Sequence, residues 1–140
     1  MVRNGFLLDT NVLSEPLKPS PNAGVLEGIR RQAGRIATAS ICWNEMWYGC
    51  LSLPRSKRRD VVEAYVAGFL RAVLPILPYD AHAAEWHATE RSVLTSAGMP
   101  PPFLEGQIAA VAYVNGLTLV TRNLADFRSF RKLAVVNWHL

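Results

Sequence analysis

The sequence predicts an α/β domain built on a mostly parallel sheet of about five strands, flanked by helices. Three observations predict it. Short apolar runs recur at Phe6–Leu8, Ile36–Ser40, Pro75–Pro78, Leu117–Val120 and Leu133–Val136. Longer stretches with apolar residues three and four apart lie between most of them. Strands that alternate with helices close into a parallel sheet covered on both faces. With 140 residues, half of them hydrophobic, the chain can bury a core without disulfides or structural metals, and residues 1–140 are expected to form one domain.

The elements follow in order. Phe6-Leu7-Leu8 reads as a buried strand ended by Asp9, and Thr10 to Glu15 as one helical turn before the prolines at 16, 19 and 21. Asn22 is a helix N-cap, and that helix runs to about Gln32 with Gly34 near its end. Ile36 to Ser40 alternates as the second strand, and Asn44 is expected to open the next helix, with Glu45 in its first turn. Ser56 or the basic run after it opens a long helix with an apolar stripe of Val61, Val62, Tyr65, Val66, Phe69 and Leu70. After the third strand, Asp80 caps a helix with Ala84, Trp86 and Val93 among its apolar positions, ending at Gly98. Pro100–Pro102 is a rigid link to a helix from about Leu104 to Asn115, stopped by Gly116. The fourth and fifth strands close the sheet.

Composition excludes several classes. No apolar run approaches the ~20 residues that span a bilayer. The opening nine residues do not read as a secretory leader, because their apolar stretch is short and Asp9 interrupts it. A cytoplasmic protein with no membrane partner is therefore expected, with Cys42 and Cys50 as buried free thiols. His82 and His87 are five apart on one helix and His139 stands alone, so histidine ligation of zinc is not expected. The net charge of +4 is a mild basic excess that fits a nucleic-acid substrate. Basic residues cluster at Arg30, Arg31 and Arg35, at Arg55 and Lys57–Arg59, and at Arg122, Arg128, Arg131 and Lys132. The first two clusters read as solvated faces, and the third as a functional one.

In a parallel α/β sheet, chemistry gathers beyond the carboxyl ends of the strands. Asp9 follows strand one and Glu45 lies five residues after the end of strand two. Glu105 opens the helix after the proline link. Thr121, Arg122, Asn123 and Asp126 follow strand four. Of 11 acids in the chain, four sit where such a fold brings residues together. Converging carboxylates repel unless protonated or bound to a cation, and hard oxygen ligands suit Mg²⁺ or Mn²⁺ rather than zinc. Each acid also has a structural reading. Asp9 and Asp126 serve as cap and turn residues, and Glu45 and Glu105 as favourable charges at helix starts.

Four segments carry a family resemblance. Leu7-Leu8-Asp9-Thr10-Asn11-Val12-Leu13-Ser14-Glu15 resembles the opening of the PIN-domain ribonucleases, closest to the VapC-type toxins of bacterial type II toxin–antitoxin pairs. Thr38-Ala39-Ser40, Glu45 and Gly49 resemble their second motif. Gly106 to Ala112 resembles the third, and Leu119 to Phe127 the fourth. The resemblance implies a PIN-like three-layer fold and a metal-dependent endoribonuclease that hydrolyses RNA with Mg²⁺-activated water. Asp9, Glu45 and Glu105 become both catalytic and metal-binding residues, with either Asn123 or Asp126 completing the site. Thr10, Asn11, Thr121 and Arg122 fall on the substrate side. The implied partners are RNA, an antitoxin protein and a second copy of the chain, with DNA met only through the antitoxin. Glu105 departs from the pattern, because the family usually carries aspartate there. That departure gives weight to the alternative of a catalytically weak partner of an antitoxin in a DNA-binding repressor complex. A structure-specific DNA nuclease of the same fold is a third reading.

Overall fold

Five parallel strands, β1 (Phe6–Leu8), β2 (Ile36–Ala39), β3 (Ile76–Leu77), β4 (Thr118–Val120) and β5 (Val135–Val136), lie in the order β3-β2-β1-β4-β5. The computed structural model describes residues 4–140, and the reading of Met1 to Arg3 as part of no leader lies outside them. In register, Phe6 pairs with Ile36 on one side and Thr118 on the other, and Leu8 lies opposite Val120. The three inner strands are almost wholly buried, as strands covered on both faces must be. The two edge strands have only two residues each, which leaves little free edge for another chain to pair with.

The helices are α1 (Thr10–Leu13), α2 (Ala23–Arg31), α3 (Ser40–Leu51), α4 (Lys57–Glu63), α5 (Arg71–Val73), α6 (Ala81–Ser96), α7 (Phe103–Val114) and α8 (Leu124–Phe127). Asn22 caps α2 through the backbone N–H groups of Gly24 and Val25, Ser56 caps α4 and Asp80 caps α6, as their side chains predict. Gly116 takes φ +68° just past α7, a left-handed turn that a side chain resists. Among the described residues no helix is long and apolar enough to cross a membrane. Both cysteines are free and buried.

Three expectations change. α3 begins at Ser40, directly off β2, rather than at Asn44, so Glu45 sits in its second turn. The long helix after Ser56 passes through a wider π stretch, Ala64–Leu70, between α4 and α5. Only Val62, Val66 and Leu70 of its stripe are buried, whereas Val61 and Phe69 are more than half exposed. The inner face of α6 is Ala83, His87, Glu90 and Leu94, and Val93 lies outside. Two polar residues occupy that face because tertiary partners satisfy part of each. The Tyr79 hydroxyl meets His87 Nδ1 at 2.8 Å, and Arg131 pairs with Glu90 Oε2 at 3.5 Å.

His87 carries a pH signature. Burial, and then the charge of Arg91, hold its pKa below the ordinary 6.5. The folded chain therefore keeps His87 neutral while the unfolded chain protonates it more readily. Its contribution to stability is complete above pH 6.5 and is lost as pH falls below that value. Thermal unfolding followed from neutral into mildly acidic solution is expected to show this loss, and His87→Gln to remove it from the profile.

Candidate active site

Strand β1 is central, with β2 on one side and β4 on the other, so the order reverses beside it. A crevice opens at the carboxyl ends of strands at such a point. Asp9 and Thr121 are the first residues beyond β1 and β4 and meet there. The Asp9 backbone N–H still donates to Val120 O at 3.0 Å, which fixes where the side chain leaves the sheet.

Asp9 is only 6% exposed, and both its oxygens are held. Oδ1 accepts from the Thr10 backbone N–H at 2.8 Å, the N-cap bond of α1. Oδ2 accepts from the Thr121 hydroxyl at 2.8 Å and from the Asn11 amide at 3.3 Å. Thr121 is fully buried, and its oxygen also accepts from the Asn123 N–H at 3.0 Å and from Asn11 Nδ2 at 3.3 Å. One donor and two acceptors exhaust that hydroxyl. Asn11 in turn accepts the Arg122 backbone N–H through Oδ1 at 3.1 Å. Thr10, Asn11 and Thr121, from two chain segments, thus lock the carboxylate in place, with Asn123 and Arg122 bonded behind them.

Glu45 approaches from α3. The Thr10 hydroxyl donates to its Oε1 at 2.8 Å. Burial raises its pKa most. The Thr10 hydrogen bond opposes that rise, and the nearby charges of Asp9 and Glu105 add to it. Glu105, half-buried in the first turn of α7, completes the rim. Asp9, Thr10, Asn11, Ser14, Glu45, Glu105, Ile108 and Asn123 line one cleft of about 280 Å³. This donor set is mostly carboxylate, amide and hydroxyl oxygen and fits a hard divalent cation.

The structure thus brings together Asp9, Thr10, Asn11, Glu45, Glu105 and Asn123, with Thr121 directly beneath them. Asp126 is not brought in. It lies exposed on α8 and outside the cleft lining, because the helical turn that begins after Asn123 carries it outward. Arg122 is exposed beside the site, tied there by its backbone and not by its guanidinium. Of its basic group, Arg131 is committed in part to Glu90.

Two neighbours escaped the sequence reading. Ser14 lines the cleft one turn after Asp9. Cys42 is fully buried behind the site, with Sγ 3.7 Å from Asp9 Oδ1, and candidate ligand atoms of Asp9, Cys42 and Glu45 lie within 4.8 Å of one another. Burial and the charge of Asp9 push its thiol upward, so it stays protonated. Its spacing of three from Glu45 on α3 was the available signal, since such residues share a helix face.

Thr121→Val tests the lock. Valine keeps the shape but leaves Asp9 Oδ2 with the Asn11 amide alone and the Asn123 N–H without its partner, at a cost of about 1–3 kcal/mol. Urea unfolding is expected to show that loss.

Comparison with known proteins places these motifs in a family context. The PIN domain model matches residues 6–133. The chain is 33% identical over 141 aligned positions to Toxin FitB of Neisseria gonorrhoeae, covering 96% of this chain and 99% of that protein. It is 30% identical to the tRNA(fMet)-specific endonuclease VapC of Shigella flexneri, covering 95% and 97%. The solved structure of FitAB bound to an IR36 DNA fragment superposes with a TM-score of 0.88 at 32% identity, over 96% of each chain.

Proposed function

Because the chain belongs to the PIN domain family, we propose that it is a metal-dependent endoribonuclease and the toxin of a toxin–antitoxin pair. The observation that carries this reading is the convergence of Asp9, Glu45 and Glu105 on one cleft at the end of the central strand. Asp9, Glu45, Glu105 and Asn123 would hold Mg²⁺ or Mn²⁺ there. When bound, the cation activates a water for attack and neutralises charge on the phosphate.

The chain's own groups do the rest. Thr121 and Asn11 hold Asp9 with its carboxylate at the cleft floor. Thr10 orients Glu45 through Oε1. That bond holds the Glu45 carboxylate at the cleft, where it would serve as a ligand to the cation. Exposed Arg122 supplies positive charge for the RNA backbone. The extra methylene of Glu105 reaches the same cleft that a shorter aspartate would face.

The names of the relatives support RNA as substrate and an antitoxin as partner, and the FitAB complex supports DNA contact by way of a complex. The chain pairs with a second copy of itself, by analogy with the family. Incubation with RNA and with single-stranded DNA, in Mg²⁺, in Mn²⁺ and with a chelator, tests the proposal. Metal-dependent cleavage of RNA is expected. Cleavage of DNA alone would favour the DNA-nuclease reading. If neither the native chain nor Glu105→Asp binds the cation, the protein acts through antitoxin binding alone.

A further inference from the structure

Helix α7 delivers Glu105 to the cleft, yet its first turn lacks the usual anchor. The N-cap position is Pro102, which makes no side-chain cap, and the prolines at 100 and 101 bring no N–H groups to the approach. The buried residues from Gly106 to Ala112 seat the helix, and contacts in its first turn fix where Glu105 stands. Two residues of that turn, Phe103 and Gly106, meet one imidazole. His87 is 2% exposed and packs its ring against Phe103, with centroids 5.1 Å apart. Its Nε2 edge lies so close to Gly106 that any Cβ there would collide with three ring atoms.

His87 Nε2 is buried and has no hydrogen-bond partner. A buried polar atom without a partner is uncommon and calls for a physical reason for its position. What fixes the ring is its other nitrogen, 2.8 Å from the hydroxyl of Tyr79. Tyr79 stands in the short link between β3 and α6, so the contact ties the edge of the sheet to the imidazole. Arg91 adds a lid over Phe103, its guanidinium carbon 5.0 Å from the ring centroid.

We propose that Tyr79 and His87 form a prop that positions Glu105 in the cleft, acting through Phe103 and Gly106. They are positioning residues and touch neither substrate nor cation. The inference rests on the proposed metal reading for what Glu105 does, but not for the prop itself.

Tyr79→Phe tests it, because it deletes the hydroxyl and keeps the ring. In the metal-free protein, amide exchange at Gly106 and Gln107 is expected to quicken roughly tenfold, with Val111 to Val114 unchanged. The side-chain methylene resonances of Glu105 are expected to move with it. His87→Asn, which keeps a group facing Tyr79 but removes the edge against Gly106, is expected to do the same. A Mg²⁺ titration is then run on the native chain, Tyr79→Phe, Glu105→Gln and the double variant. Tyr79→Phe alone is expected to weaken binding roughly threefold to tenfold, and to add nothing once Glu105 is Gln. Unchanged exchange and unchanged Glu105 resonances overturn the prop. Additive effects on Mg²⁺ affinity also overturn it, since they show a prop that does not serve Glu105. If the native chain binds no Mg²⁺, the metal reading falls, and the metal-free measurements alone decide the prop.

Discussion

Asp9→Asn is expected to abolish Mg²⁺ binding and to lower RNA cleavage by about 10³-fold, equivalent to about 4 kcal/mol of transition-state stabilisation. The side chains are nearly isosteric, so the fold survives. The hydrogen bonds do not. The Thr10 N–H and the Thr121 hydroxyl each donate to a different oxygen of Asp9. An amide offers only one oxygen. If that oxygen takes the Thr10 N–H, the new NH₂ faces a Thr121 oxygen whose two acceptor positions are already filled by Asn123 and Asn11. The variant thus loses the charge and gains a misplaced donor. Removing one of the charges beside Glu45 also lets that residue's pKa fall back toward the ordinary range. A calorimetric titration with Mg²⁺ and a cleavage assay on the same preparation measure both effects, and undiminished cleavage would sink the proposed function.

Gly106→Ala is the second large effect. A methyl group there meets His87 Nε2, Cδ2 and Cε1 together. Helix propensity alone would favour alanine by up to about 1 kcal/mol in this position. Packing reverses the sign. The imidazole is buried, and its far side is tied to Tyr79, so it cannot swing away without losing that bond. Overpacking of this kind costs about 1–3 kcal/mol. Urea unfolding is expected to show that loss. A gain in stability would mean that the α6–α7 contact relaxes freely.

Much of this was legible in the chain because the physics is local. The inner strands are buried on both faces, so Phe6–Leu8 and Thr118–Val120 are short apolar runs that need no partner to be recognised. Asn22, Ser56 and Asp80 cap helices by bonds to their own neighbours. Asp9 is marked by being an acid at the end of such a strand. What stayed hidden depends on distant partners. The start of α3 carries no capping side chain, since Ala39 simply turns from strand into helix, and Asn44 was the more conspicuous signal. The buried face of α6 contains His87 and Glu90, which only Tyr79 and Arg131 make acceptable. Asp126 matched a motif by spacing, but the turn of α8 points it to solvent, while Asn123 three residues earlier lines the cleft.

The placement of β4 has a consequence for timing. The site draws on positions 9 to 14, 45, 105 and 121 to 123, and the last of these docks beside the first strand of the chain. During synthesis the amino-terminal part emerges first and must wait, with Asp9 unlocked, until β4 arrives to supply the Thr121 hydroxyl. Pairings between such remote segments are slow to form, because the loop between them must close first. A nascent chain halted before residue 121 therefore lacks the assembled cleft.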